Sequence, residues 1–268
     1  MNNYIARNIT PFNLALTLDC GQAFRWSQTD DGCFEGIAFG RYLKVKQENS
    51  DLIFYNTTKE DFENIWFDYF DLGRNYGEIV ARSSKDARIL PMLEGCSGIR
   101  ILKQSPWEAL CSFIISQNNN IPRIKGIITR LCESFGDKAE KGYTFPSPEK
   151  LKDLNVEDLS PLRSGFRAKY ILDAAKKCSA ELNLKEISKL PINEAREKLM
   201  TIKGVGPKVA DCTLLFGMGF VEAFPLDVWM KRAMATIFVD GFPEDLKDCA
   251  GIVQQYIFHY IRTKEQNK

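Results

Sequence analysis

Near Ser105 the hydrophobic rhythm of the chain changes once, from strand-like runs to a spacing of three and four, and this restricts the fold more than any other feature. Before the change, residues 34–39 and 42–46 read as strands that flank Gly40-Arg41. A Gly-X pair there suits a two-residue type II′ hairpin, and residues 52–55 supply a further strand. Strands joined by such short turns build an antiparallel sheet. After the change, Pro106 occupies a first helical turn, and Trp107, Leu110, Cys111, Ile114 and Ile115 follow on one face. Ile124, Ile127, Ile128 and Leu131 continue the pattern beyond Pro122. Further helices are predicted over 147–154, 169–182, 193–200, 207–218, 228–238 and 250–262. The expected class is α+β, with an antiparallel β domain over 1–104 and an α-helical region over 105–268.

Composition narrows the chemistry. No stretch approaches the apolar length of a membrane span, and Met1-Asn2-Asn3-Tyr4 lacks a signal-peptide pattern, so a cytoplasmic protein is expected. The eight cysteines are scattered without a CxxC pair, which excludes a written zinc knuckle or iron–sulfur motif and points to reduced, buried thiols. A single histidine, His259, leaves little for a Ser-His-Asp site. The chemistry therefore falls to Lys, Asp, Glu, Cys or Tyr. A net charge of +1 advertises no polyanion partner, so a nucleic acid would be held by local groups and backbone N–H donors.

One segment supplies such donors. In Thr201-Ile202-Lys203-Gly204-Val205-Gly206-Pro207-Lys208-Val209 one helix ends near Met200, two glycines free the backbone, and Pro207 opens the next helix. This helix-hairpin-helix, at about 193–218, leaves N–H groups beside a helix N-terminus, where a phosphate binds. A dinucleotide fingerprint is excluded by Val209 and by the helix before the loop, and a phosphate-binding NTPase loop by Gly206-Pro207-Lys208-Val209. Lys208 lies in the first turn of the second helix, where the helix dipole disfavours an ammonium and favours a nucleophilic amine. Asp227 precedes the helix starting at Val228; it can cap that helix, stabilise positive charge on a sugar ring, or do both.

Hairpin, lysine and the following Pro225-Leu226-Asp227 resemble the helix-hairpin-helix glycosylase superfamily. Gly21-Gln22-Ala23-Phe24-Arg25-Trp26, Ser116-Gln117-Asn118-Asn119-Asn120-Ile121-Pro122-Arg123 and Lys208-Val209-Ala210-Asp211-Cys212 resemble segments of the 8-oxoguanine DNA glycosylase/AP lyase family, over nearly the whole chain. The resemblance implies that Lys208 attacks C1′ of a flipped nucleotide and that Asp227 assists departure of the base. It implies that Cys212 and Phe258 sandwich the purine, that Gln254 reads its Watson–Crick edge, and that the Gly21 carbonyl accepts the N7 hydrogen that guanine lacks. Asn118, Asn119, Arg123, Phe166 and Arg167 are implied to meet the opposite base and its strand, and Gly204, Val205 and Gly206 to hold phosphate. No cofactor is implied beyond a monovalent or divalent cation on the hairpin carbonyls. The implied partner is duplex DNA containing 8-oxoguanine, bound by a monomer. Phe166 stands where the vertebrate-type pattern has tyrosine, and Lys203 where it has proline, so reading of the opposite base departs from that pattern. Two other readings fit parts of the chain. An alkylated-base glycosylase would not need Lys208, and a non-catalytic DNA-binding module would not need Asp227.

Overall fold

The computed structural model describes residues 3–266. Five strands, β1 (Tyr4–Ala6), β2 (Trp26–Gln28), β3 (Phe34–Ala38), β4 (Arg41–Glu48) and β5 (Asp51–Tyr55), form one antiparallel sheet in the order β1-β5-β4-β3-β2. Alternation places Phe34, Leu43, Val45, Leu52 and Phe54 on the buried face. The β3–β4 turn differs from the expected type. Ala38 pairs with Arg41, so the turn residues are Phe39 and Gly40, both at positive φ (51° and 74°). This is a type I′ geometry, whose twist matches the flanking strands well enough to hold a phenylalanine in the left-handed region.

The first hundred residues are not all strand. Helix α1 (Leu14–Asp19) interrupts them, α, π and α turns run in series over Lys59–Asp61, Phe62–Trp66 and Phe67–Tyr69, and α2 (Tyr76–Ser83) follows. Their apolar residues were too interleaved with strand-like aromatics for periodicity to separate them. Phe62, Trp66, Tyr69 and Phe70 cover the sheet, and the Trp26 indole donates to Tyr69 Oη at 2.7 Å. The larger helices are α3 (Pro106–Ser116), α4 (Ile121–Phe135), α5 (Ala168–Ala180), α6 (Ile192–Met200), α7 (Pro207–Met218), α8 (Val228–Thr236) and α9 (Ala250–Gln266). The segment predicted over 147–154 is helical only at Pro148–Leu151. A second core joins these helices to Phe24, Tyr76, Ile79, Ile99 and Ile101, so the sheet-bearing part is welded to the helical part.

Two polar groups make that weld. The fully buried Gln22 amide donates to the Thr17 and Arg100 carbonyls at 2.8 Å and accepts from Leu102 N–H at 2.9 Å. Arg25 lies 3.5 Å from Glu108, their side chains 10% and 12% exposed, and also donates to the Tyr143 carbonyl. Burial pushes the Glu108 carboxyl up, and the Arg25 charge pulls it back. Arg25→Met leaves that carboxylate buried and unpaired, an expected cost of about 3–5 kcal/mol in denaturant melts. A carboxyl raised by folding contributes stability below its ordinary range and loses it as pH rises through the raised value. Without Arg25 the rise is larger, so the deficit of the variant shrinks on acidification; a deficit that grows on acidification contradicts the pairing.

Candidate active site

The hairpin between α6 and α7 forms because Gly204 takes φ +81°, with the Tyr170 ring 2.4 Å from where a Cβ would stand. Gly206 differs from expectation. Its φ of −101° and ψ of −177° are open to any residue, but no neighbour lies within 4 Å of where a Cβ would stand, and among the described residues its N–H has no protein acceptor. Val205 turns its side chain into the core and donates its N–H to the Ile202 carbonyl at 3.0 Å. Among the described residues the Gly204 N–H likewise has no acceptor, so both glycines offer donors at this turn.

Lys208, half-buried on α7, points along α3. Its Nζ donates to Ser116 Oγ at 3.2 Å and sits 5.1 Å from the Phe113 ring centroid. Ser116 Oγ spends its own proton on the Phe113 carbonyl at 2.8 Å, which leaves its lone pairs for the lysine. Asp227 caps α8, its Oδ1 accepting from Met230 N–H at 2.8 Å, while its second oxygen bonds no protein group among the described residues. Lys208 and Asp227 line one cavity with Gly21, Cys212, Gln254 and Phe258. Six residues separated by up to 237 positions in the chain (258 − 21) are thus brought together.

Each wall has a defined chemistry. Cys212 is buried, its thiol pushed up to about 11 against the pull of Lys208, so it meets a ligand as a neutral S–H. Gln254 is buried, and its Nε2 reaches the Pro225 carbonyl at 3.4 Å, whereas Oε1 is buried with no partner. Gly21 adopts φ +88° in the turn after α1. The cavity holds about 50 Å³, room for one or two waters, so a purine enters only if the walls part.

Asn118, at φ +47°, lies in the loop between α3 and α4, and both it and Arg123 are exposed. Phe166 is 45% exposed. Arg167 is 2% exposed and donates to the Gln117, Asn118 and Ser164 carbonyls, which ties it to the backbone of that loop. Asn119 spends its amide on the Ile115 carbonyl at 3.1 Å, closing the end of α3. Sequence reasoning passed over Ser116, Phe113, Phe216, Pro225 and Gln255, which complete the site. Ser116 carried a signal, as the first residue of the Asn-rich segment, and so did Pro225, as the first residue of Pro225-Leu226-Asp227.

Residues 4–110 match the family of the 8-oxoguanine DNA glycosylase N-terminal domain, and residues 111–245 the HhH-GPD superfamily of base excision DNA repair proteins. The structure of MBOgg1 in complex with a low-affinity DNA ligand is similar at 46% identity and TM-score 0.92, over 99% of this chain and 96% of that one. The Clostridium acetobutylicum 8-oxoguanine glycosylase/lyase, in complex with duplex DNA carrying cytosine opposite 8-oxoguanine, is 41% identical with TM-score 0.92, over 97% and 95%. The Saccharomyces cerevisiae N-glycosylase/DNA lyase is 42% identical over 152 residues, and the chain spans 40% of its length. Fold and site define a helix-hairpin-helix base excision repair glycosylase. Within that class the chain belongs to the 8-oxoguanine DNA glycosylase family, of the bifunctional N-glycosylase/DNA lyase kind.

Proposed function

We propose that Lys208 is the nucleophile and Asp227 the charge partner that excise 8-oxoguanine from duplex DNA in this chain. The observation that carries this reading is the convergence of a lysine amine, a carboxylate with a spare oxygen and an unpaired buried amide oxygen on one cavity. Nζ attacks C1′, the N-glycosidic bond breaks, and its electrons leave with the base, which takes up a proton. Asp227 stabilises positive charge on the sugar as that bond opens. The amine bound to C1′ then loses a proton as the C1′–O4′ bond breaks and O4′ is protonated, which opens the sugar ring to a Schiff base; loss of a C2′ proton then expels the 3′ phosphate. An alkylated-base reading leaves the lysine unused.

Gln254 Oε1 is suited to the N–H donors of a guanine-type Watson–Crick edge, since burial without a partner is otherwise costly. The Gly21 carbonyl accepts N7–H of the lesion and opposes N7 of guanine, acceptor against acceptor. Cys212 and Phe258 take the two faces of the base. Asn118, Arg123 and Phe166 face the opposite strand, Arg167 and Asn119 shape their loop, and Gly204 and Gly206 present backbone to a phosphate. A cation on the hairpin would find the Thr201 carbonyl already taken by Lys177 Nζ, and no cluster of His, Cys, Asp and Glu among the described residues could hold a metal, so no step is assigned to one. No helix among the described residues is long and apolar enough to cross a membrane.

Borohydride added to the protein with a duplex carrying 8-oxoguanine opposite cytosine is expected to trap a covalent protein–DNA adduct on a denaturing gel. Release of the base with no trapped adduct overturns the lysine mechanism. A duplex carrying an alkylated purine should be cut far more slowly.

A further inference from the structure

The turn that carries Gly21 is held with unusual completeness. The Asp19 carbonyl accepts from Arg262 Nη2 at 3.3 Å, the Cys20 carbonyl from Gln255 Nε2 at 3.1 Å, and the Gln22 carbonyl from Gln104 Nε2 at 2.7 Å. Of residues 19–22, Gly21 alone has a carbonyl that no donor among the described residues reaches. Two of the three clamps come from α9. Gln255, Phe258 and Arg262 are spaced by three and four, so one face of that helix meets the turn. Arg262 Nη1 lies 3.3 Å from where a Cβ on Gly21 would stand, and its guanidinium is 5.6 Å from the Phe258 ring centroid. Its Nε and Nη1 are buried without partners. That arrangement costs stability and yields a rigid contact between the turn and the ring.

We propose that Gln255 and Arg262 are positioning residues that aim the Gly21 carbonyl into the cavity and thereby set discrimination between 8-oxoguanine and guanine. The proposal rests on the reading of the cavity given above. An acceptor facing the N7 of guanine repels it only if the peptide cannot tilt away, and relief of that repulsion needs a movement of a few tenths of an ångström. With the carbonyls on both sides held, the tilt is blocked. Loosening the clamp therefore does two opposite things: it weakens the bond to the lesion and softens rejection of guanine. A general loss of folding would lower both.

The test uses the whole protein and Gln255→Met, Arg262→Met and Arg262→Lys. Single-turnover base excision from an 8-oxoguanine·cytosine duplex is compared with cleavage of a preformed abasic·cytosine duplex, which presents no base to Gly21. Competition by undamaged guanine·cytosine duplex is measured alongside. Gln255→Met and Arg262→Met should each lower the ratio of excision to abasic cleavage about tenfold and raise competition by undamaged duplex, the worth of roughly one hydrogen bond. Arg262→Lys should keep the ratio within about threefold, because it retains the charge and a donor. If Gln255→Met fails to fold, the Arg262 pair carries the comparison. An unchanged ratio, or equal falls on both substrates, overturns the clamp. A wild type that cleaves the abasic duplex but leaves 8-oxoguanine in place overturns the substrate reading, and the clamp with it.

Discussion

Lys208→Gln is expected to eliminate the borohydride-trapped adduct and to lower base excision by on the order of 10³-fold or more, while duplex binding stays within about tenfold of wild type. The amine is placed to make a bond to carbon: it lies at the cavity, bonded to Ser116 Oγ and set against the Phe113 ring. Glutamine fills similar length on a half-buried position of α7 and keeps a donor for Ser116, so the hairpin should survive. Binding depends on the backbone of the turn and on the loops, which this substitution does not reach. An adduct that persists in the variant assigns the nucleophile elsewhere, and a melting temperature that collapses shows a structural lysine.

Asp227→Asn separates the two roles that one carboxylate combines. Asparagine caps a helix nearly as well as aspartate, so the bond to Met230 N–H remains and stability should move by no more than about 0.5 kcal/mol. The charge is gone, and excision should fall roughly 10²-fold for want of stabilisation of the sugar cation. Asp227→Ala should lose that rate and about 1 kcal/mol of stability besides. Single-turnover rates and thermal melts on the two variants decide the matter. If Asp227→Asn keeps full excision while Asp227→Ala loses it, the residue works only as a cap.

Much of the fold was legible because its signals are local. Proline and glycine punctuate α3, α6 and α7 within a residue or two of their observed ends, and the apolar runs on either side of Gly40-Arg41 mark β3 and β4. The failures are local conflicts settled by contacts from far away. Phe62, Trp66 and Tyr69 have strand-like chemistry, yet they curl into helical turns because the sheet needs a cover. Phe39 enters the β3–β4 turn in place of Arg41 because register, not glycine position, decided which pair closes the hairpin. The resemblance places Arg167 at the DNA, and no local pattern showed that three backbone carbonyls would take its donors.

The site shows where sequence stops. Glycine, proline, lysine and a capping aspartate are readable because the physics that selects each acts within one turn of chain: positive φ at Gly204, a missing N–H at Pro207, the dipole at Lys208, the bond from Asp227 to Met230. The sequence by itself therefore determined the order of layers, the hairpin and the placement of Lys208 and Asp227 at the starts of their helices. Only the tertiary structure decided that Gln255 would grip Cys20 from 235 residues away, that Gln254 would be left with a bare oxygen, and that Gly21 would keep its carbonyl free. Such facts depend on how distant helices cross. No local pattern encodes a crossing, because many sequences with the same periodicity can pack in it.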